Sequence, residues 1–200
     1  MSQRLNVAKT SNFRDQMTDR QLLAAAYRIV DYLGWCETIY GHLTLRVPSA
    51  KDHFLINPWG LRYDEVTASN LLEIDHNGDK VAGPNYPVNK PGFVIHSAIH
   101  EARSDVNCVM HVHTIAGMAV AAQKNGLLPI SMPGTGFWGQ VGYHDYEGPS
   151  MNLDERERLV ASLGIKNTMI LRNHGILTCG KSVEEAFILM FRLQRACEVQ

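Results

Sequence analysis

A short apolar segment that ends in two histidines constrains this chain more than any other feature. Residues 108–113 read Cys-Val-Met-His-Val-His, and an apolar run of this length predicts a buried strand. Residues two apart in a strand project from the same face, so the side chains of His111 and His113 point the same way. Two neutral imidazoles at a strand end are either half of a metal site or a hydrogen-bonded structural pair.

A third histidine stands at a predicted turn. Asn173-His174-Gly175 follows a strand predicted over residues 168–171, and glycine permits backbone angles that other residues avoid. Residues 176–178 are predicted to continue that strand beyond the turn. With His111 and His113, His174 would supply three ligands and leave a coordination position open, as catalytic metal sites require.

Helical periodicity marks both ends of the chain. Thr18 and Gln21 form a capping-box pattern before an amphipathic helix that Gly34 terminates. Ser182 caps a last helix that still runs at Gln200, so we expect the natural protein to continue beyond it. Between them we predict strands at 43–47 and 54–57, helices at 93–103, 116–123 and 152–163, and loops at 83–91 and 129–149, the last with one short strand. Asn152 is the predicted cap of the helix at 152–163.

Charge and composition exclude several classes of function. The 19 basic and 20 acidic residues give a formal charge of −1, which predicts binding to neither nucleic acid nor an anionic membrane. The sequence has no apolar run of the roughly 20 residues that span a bilayer. Its four scattered cysteines favour a reduced, cytoplasmic protein. A chain of 200 residues with 45% hydrophobic content predicts a single domain, which we place at 18–200 after a flexible lead at 1–17.

Four segments together resemble the class II aldolase and adducin head-domain family. They are residues 40–47, 56–61, 102–114 and 171–186, which agree with the family's motifs in order and spacing. The resemblance covers residues 18–200. It implies a three-layer αβα fold of the α/β class, in which helices flank a mostly antiparallel central sheet.

The same resemblance implies a metal site and an assembly. His111, His113 and His174 match the family's three metal-binding histidines. The expected cofactor is one divalent ion, zinc first, with manganese or iron as alternatives. The resemblance also implies a homotetramer with its sites near subunit interfaces.

The sequence departs from the sugar-phosphate aldolases of this family at their catalytic groups. The position of their catalytic Glu falls on Gly92, which cannot move a proton, and their tyrosine from a neighbouring subunit falls near Met132. Their phosphate-binding residues fall on Lys90, Pro91, Gly41-His42 and Trp59-Gly60. Trp or Pro in place of a phosphate-binding side chain loses its hydrogen bonds, so a sugar phosphate is a poor substrate candidate.

Other polar residues are candidates for substrate contact. We predict His42 and Tyr143 as catalytic residues, with His144 and Tyr146 close to Tyr143. Further site or substrate candidates are His96, Lys90, Gly41, Asn57 and Gly60. His53, His76 and His100 have no partner motif and are predicted to be surface residues.

These patterns predict a divalent-metal carbon–carbon lyase, an aldolase or a decarboxylase. Its substrate would be a small oxo- or hydroxy-acid, which Lys90 and His42 could bind. Two alternatives stay open. One is a non-catalytic, adducin-like oligomeric module, which residues 89–93 and 126–130 resemble, although adducin heads lack metal histidines that this chain keeps. The other is a non-haem iron oxygenase with a similar ligand set.

Overall fold

The computed structural model describes residues 16–148 and 154–200, and their strands form one sheet. The strands are β1 (His42–Val47), β2 (Ala50–Ile56), β3 (Leu72–Ile74), β4 (Lys80–Ala82), β5 (Cys108–Val112), β6 (Val141–His144), β7 (Thr168–Leu171) and β8 (Gly175–Gly180). Their order in the sheet is β4-β3-β2-β1-β5-β8-β7-β6. Neighbours are antiparallel, apart from the parallel pair of β6 and β7, so the predicted mostly antiparallel sheet is confirmed.

Helices cover both faces of this sheet. They are α1 (Asp19–Tyr32), α2 (Lys90–Ala102), α3 (Ile115–Ala121), α4 (Met132–Thr135), α5 (Glu155–Leu163) and α6 (Val183–Val199). Helices α1, α3 and α6 enclose one core with the sheet, and α2 and α5 enclose another on the opposite face. The three-layer αβα architecture is thereby confirmed. Among the described residues, none of the helices is both long and apolar enough to cross a bilayer.

The first helix begins and ends as its sequence predicts. The Thr18 side chain accepts a hydrogen bond from the Gln21 backbone, and the Gln21 side chain accepts one from the Thr18 backbone. Leu23, Tyr27 and Val30 are fully buried at spacings of three and four residues, so one face of α1 packs on the sheet.

The second helix begins earlier than its sequence suggests. The predicted loop at 83–91 includes the first two residues of α2, which starts at Lys90. Asn89 caps the helix by accepting a hydrogen bond from the Gly92 backbone N–H, and Pro91 lies in the first turn. Proline in this position reads as a loop but is compatible with a helix start, because the first N–H groups have no partner within the helix.

The segment after His174 corrects a second expectation. Residues 176–178 do not continue strand β7 but belong to β8, which pairs antiparallel with β7. Asn173 adopts a left-handed conformation, with φ of 56°, and this reverses the chain. Strands β3 and β4 were not predicted, because three-residue strands carry too little periodicity to detect. Asn152 lies outside the described residues, and α5 begins at Glu155.

Candidate metal centre

Three imidazoles converge where β5 meets the turn between β7 and β8. His111 lies in β5, His113 follows directly after it, and His174 lies in the turn. The Nε2 atom of His111 is 2.8 Å from Nε2 of His113 and 3.3 Å from Nε2 of His174. The potential ligand atoms of the three residues all lie within 4.8 Å of one another. The structure therefore brings together the three histidines that the sequence singles out.

The opposite ring nitrogens fix the orientation of two of these imidazoles. His111 Nδ1 donates to the backbone carbonyl of Ile176 over 3.0 Å, and His113 Nδ1 donates to the Glu37 carboxylate over 2.8 Å. A carbonyl oxygen only accepts hydrogen bonds, so the proton of neutral His111 sits on Nδ1 and Nε2 carries a lone pair. A metal-binding histidine usually donates its other ring N–H to a backbone carbonyl or a carboxylate in this way.

Burial favours the neutral, metal-binding form of these rings. It lowers the pKa of His111 well below the ordinary value, and the nearby rings of His113 and His174 lower it further. Burial likewise lowers the pKa of His174 to about 4, with His113 contributing next. Three imidazole nitrogens that converge in this way fit a divalent cation such as zinc.

A glycine allows the two histidine-bearing segments to approach each other. A Cβ atom at Gly175 would lie 2.7 Å from the Val112 carbonyl oxygen and 3.0 Å from Cδ2 of His113. Both distances are too short for a side chain, and the Val112 contact is to backbone that cannot rotate away. Gly175 therefore lets the hairpin carry His174 against the end of β5.

A cavity of about 340 Å³ opens beside the three histidines. His113 and His174 line it, together with Tyr40, His42, Trp59 and Tyr146. The Tyr40 and Trp59 rings meet edge to face, with centroids 6.0 Å apart. The cavity has the size and aromatic lining of a small-molecule site.

His42 occupies the space that a side chain at position 92 would need. A Cβ atom at Gly92 would lie 2.7 Å from Cγ and 2.8 Å from Cδ2 of His42. The His42 ring is buried, with its centroid 5.0 Å from that of His111. Burial lowers its pKa well below the ordinary value, and the neighbouring His96 adds to the effect. An imidazole from β1 thus stands where the resemblance places a carboxylate from α2.

Two further histidines of α2 lie behind His42. His42 Nδ1 is 2.8 Å from His96 Nε2, and Thr44 Oγ1 is 2.8 Å both from His96 Nδ1 and from His100 Nε2. Both ring nitrogens of His96 are therefore engaged away from the three converging histidines. His100 is only 3% exposed, so its prediction as a surface residue is wrong. It shares a helix face with His96, one turn away, and that face packs on the sheet.

His53 and His76 differ in exposure. His76 is exposed, as predicted. His53 is partly buried and lies 2.9 Å from the Glu73 carboxylate through its Nδ1 atom.

Tyr143 lies away from this cavity. Its hydroxyl accepts a hydrogen bond from the Leu127 backbone over 3.1 Å, and the Arg172 guanidinium lies 4.7 Å from its ring centroid. It lines a separate cavity that includes Phe137. The structure brings Tyr146, rather than Tyr143, to the histidine cavity.

The remaining candidates have varied positions. Gly41 lines the cavity with φ of 81°, and a Cβ there would lie 2.6 Å from the Tyr63 hydroxyl. Asn57 is buried, does not line the cavity, and accepts a hydrogen bond from Tyr27 over 2.9 Å. Lys90 and Gly60 are exposed and do not line the cavity.

Glu37 and Thr44 are site residues that the sequence analysis missed. Glu37 precedes β1 in an irregular segment, and no spacing rule links it to His113. Thr44 reads as an ordinary strand residue, although its place two residues after His42 puts both on one face. That shared face is the signal that could have connected Thr44 with the site.

Comparisons with known proteins give matches over most of the chain. The family profile described as "Class II Aldolase and Adducin N-terminal domain" matches residues 21–200. A Pseudomonas aeruginosa protein, whose name marks its class 2 aldolase assignment as provisional, is 51% identical over 178 residues, which are 89% of this chain and 68% of that protein. Alpha-adducin of Rattus norvegicus is 50% identical over 181 residues, which are 89% of this chain but 24% of adducin.

Solved structures resemble the fold closely. An aldolase II superfamily protein from Pseudomonas syringae superposes with a TM-score of 0.89 at 51% identity, over 94% of this chain and 78% of that one. L-fuculose 1-phosphate aldolase from Glaciozyma antarctica gives a TM-score of 0.82 at 34% identity, over 91% and 71% of the two chains.

Proposed function

This chain belongs to the class II aldolase and adducin family, and from that premise we propose that it is a divalent-metal-dependent carbon–carbon lyase. Its substrate is a small oxo- or hydroxy-acid, cleaved by an aldolase or a decarboxylase reaction. The observation that carries this proposal is the convergence of Nε2 atoms from His111, His113 and His174 beside an open cavity.

His111, His113 and His174 are the residues that would hold the cation. Zinc suits three imidazole ligands, and manganese or iron also accepts them. When bound, the cation supplies a Lewis acid that polarises a substrate carbonyl and stabilises the charge that develops as the adjacent bond breaks. Glu37 and the Ile176 carbonyl hold the two β5-end imidazoles in position for this role.

The lining of the cavity supports a small, acidic substrate. Asn89 lines the cavity at the N-terminus of α2, where backbone N–H groups and the helix dipole favour negative charge. Lys90 is exposed in the first turn of the same helix and adds a positive charge to that end of α2. His42 lines the cavity and is the proton-transfer group that we propose in place of the missing carboxylate.

A sugar-phosphate substrate fits less well, although several solved relatives are named for such substrates. L-fuculose 1-phosphate aldolase from Glaciozyma antarctica is 34% identical to this chain. Gly92 stands here at the position of the family's catalytic Glu, and the His42 ring fills the space above it. Decarboxylation, in which carbon dioxide leaves without a base, is the chemistry that depends least on that carboxylate.

A second candidate function is assembly, since alpha-adducin of Rattus norvegicus is 50% identical over 181 residues. Ile130, Met132 and Trp138 are exposed apolar side chains close together in the chain, which supports a contact between subunits. Assembly into a homotetramer is compatible with catalysis, and light scattering of the purified protein measures it.

The test of the proposal is metal content. Untagged wild-type protein is compared by plasma mass spectrometry with His111→Ala/His174→Ala, and with His53→Ala/His76→Ala as a control that also removes two histidines. We expect about one equivalent of metal in the wild type and the control, and almost none in the first variant. The metal-loaded proteins are then assayed for decarboxylation of oxaloacetate and for aldol cleavage of a 4-hydroxy-2-oxo acid. No metal in reconstituted wild-type protein would reject the enzyme and leave the assembly role.

A further inference from the structure

A continuous chain of buried hydrogen bonds leaves the metal cavity at His42. It passes from His42 Nδ1 to His96 Nε2, from His96 Nδ1 to Thr44 Oγ1, and from Thr44 Oγ1 to His100 Nε2. Each of these separations is 2.8 Å. All four side chains are at most 4% exposed, so water does not compete for these bonds.

The spacing of residues along α2 matches the spacing along β1, and this places the four residues side by side. His96 and His100 are four residues apart on α2, which corresponds to a rise of about 6 Å. His42 and Thr44 are two residues apart on β1, a rise of about 6.6 Å. Because the two repeats are nearly equal, side chains from α2 and β1 alternate along one line with little backbone adjustment.

The far end of this chain of hydrogen bonds, at His100, reaches a second cavity. This cavity has a volume of about 220 Å³ and shares none of its lining residues with the metal cavity. His100 lines it together with Arg46, Asp52, Ser97 and Glu101. The remaining ring nitrogen of His100, Nδ1, is buried and makes no hydrogen bond of normal geometry with the described residues. The Val106 backbone raises the pKa of His100 slightly against the larger lowering effect of burial. The chain of hydrogen bonds therefore runs from one cavity to another that is separate from it.

Every member of the chain can both donate and accept a hydrogen bond. A neutral imidazole carries its proton on either nitrogen, and a hydroxyl donates one bond while it accepts others. In one arrangement His42 donates to His96, His96 to Thr44, and Thr44 to His100. In the other arrangement each bond runs the opposite way. The two arrangements contain the same number of protons and no charged group.

We infer that His42, His96, Thr44 and His100 form a proton path between the metal cavity and the second cavity. His42 Nε2 takes a proton from the substrate while His42 Nδ1 passes its own to His96 Nε2. His96 Nδ1 gives its proton to Thr44 Oγ1, whose hydroxyl proton moves to His100 Nε2. His100 Nδ1 is buried in the wall of the second cavity and releases its proton to water that enters from that cavity, so one proton enters and one leaves. His42 is the catalytic residue, and the other three are positioning residues that act through it.

The surroundings favour a path that uses neutral groups. Burial lowers the pKa of His100 to about 3, and Arg46 adds to this effect. Burial also lowers the pKa of His96 well below the ordinary value, and the nearby rings of His100 and His111 add to it. A proton that stopped on either ring would therefore be costly. The exchange of tautomers moves a proton without storing charge in the interior.

The test compares variants at Thr44. Thr44→Val keeps the shape but removes the hydroxyl, and Thr44→Ser restores it. Thr178→Val is the control, because it removes another buried hydroxyl that lies in neither cavity. His100→Gln is a second probe, whose amide can hydrogen-bond to Thr44 but cannot pass on a proton. Zinc content and folding are checked for each protein.

The kinetic probe rests on the proposed function. Exchange of the pyruvate methyl protons in D₂O, followed by NMR, reports proton transfer at the carbon next to a carbonyl. We expect Thr44→Val and His100→Gln to slow this exchange about 100-fold, Thr44→Ser by no more than about threefold, and Thr178→Val not to change it. Exchange in Thr44→Val at the wild-type rate, with equal zinc content, would overturn the path.

A second readout does not depend on turnover. In protein labelled with ¹⁵N-histidine, both ring nitrogens of His96 should show shifts between those of protonated and bare nitrogen, because the two arrangements interconvert. Thr44→Val should fix one tautomer, and Thr44→Ser should restore the averaging. Wild-type protein that holds His96 in one fixed tautomer contradicts the path. If pyruvate does not exchange but the averaging is present, the substrate class is wrong and the path stands.

Discussion

Two sets of three histidines lie side by side in this protein, and their hydrogen bonds differ in kind. In the first set, His111, His113 and His174, the Nε2 atoms face one another beside an open cavity. In the second set, His42, His96 and His100, the rings form a chain through the interior. All three rings of the second set are buried, whereas in the first set only His111 is, and His113 and His174 are partly exposed.

The difference lies in what the remaining nitrogens contact. His111 and His113 bond through Nδ1 to groups that only accept, so their protons are fixed and Nε2 is free to bind a cation. Both nitrogens of His96 contact groups that donate and accept equally well, so its proton is free to move. The partner behind each ring therefore predicts whether a buried histidine binds metal or transfers protons.

The largest expected effect is the stabilisation of the folded protein by zinc, which should depend on the first set and not on the second. Zinc at about 100 times its dissociation constant should stabilise the wild type by about 2.7 kcal/mol, which raises the Tm by about 5–10 °C. His113→Ala should abolish this shift, and His100→Gln, from the second set, should keep it. Scanning calorimetry with and without EDTA measures both. A zinc shift of wild-type size in His113→Ala would mean that the metal binds elsewhere.

The next effect belongs to the second set and depends on pH. The pKa of His100 is about 3 in the folded protein and about 6.5 in the unfolded chain, so the unfolded chain binds more protons at low pH. The stability contributed by neutral His100 is fully present above pH 6.5 and is lost as the pH falls toward 3. At pH 5 the loss should be about 2 kcal/mol. Urea unfolding in EDTA measures the free energy of unfolding at pH 7 and pH 5. Between these two pH values it should decrease less for His100→Gln than for the wild type. Equal decreases in the two proteins would contradict a neutral, buried His100.

A somewhat smaller effect concerns the contact between His42 and Gly92 of α2. Gly92→Ala should destabilise the protein by about 1–2 kcal/mol, because its Cβ displaces a His42 ring held by His96, although alanine favours the helix. The same substitution in a His42→Ala background should cost little or should stabilise. Chemical unfolding of the wild type, the two single variants and the double variant gives the double-mutant cycle that measures this coupling. An equal cost in both backgrounds would show that the ring is not what excludes a side chain.

The smallest effect concerns Glu37, the carboxylate that accepts a hydrogen bond from His113 in the first set. Glu37→Gln should weaken zinc binding about tenfold, at the low end for such residues, because the Glu37 side chain is 46% exposed. Glu73→Gln is the matched control, since Glu73 pairs with His53 at 2.9 Å outside the site. Competition with a chromogenic chelator measures both affinities. A similar loss in Glu73→Gln would point to net charge rather than to the orientation of His113.

The first set was more predictable from sequence than the second. A His-x-His pair at a strand end and a His-Gly turn are local patterns, and the resemblance to the family placed the two together. The α1 capping box and the three-layer architecture were predictable for the same reason, because they depend on periodicity and motif order.

The second set depends on contacts that no local pattern reports. His100 reads as a surface residue because only the packing of α2 against β1 shows which of its faces is buried. Tyr143 and Tyr146 share a segment, and strand β6 ends between them, so sequence could not decide which one faces the cavity. The direction of the chain after His174 likewise follows from the left-handed conformation of Asn173, which its sequence permits but does not require.

The ladder between β1 and β5 pairs His42 directly with His111, so one rung of the sheet belongs to both sets. These residues are far apart along the chain, and their pairing must wait until the intervening loop closes. That rung sets the cation site and the imidazole chain beside each other, since one set lies on β5 and the β7–β8 turn and the other on β1 and α2. A slip of one residue between β1 and β5 would turn His42 and Thr44 to the wrong face. A chain that folded with such a slip could still bring His111, His113 and His174 together, but without the imidazole of His42 beside them.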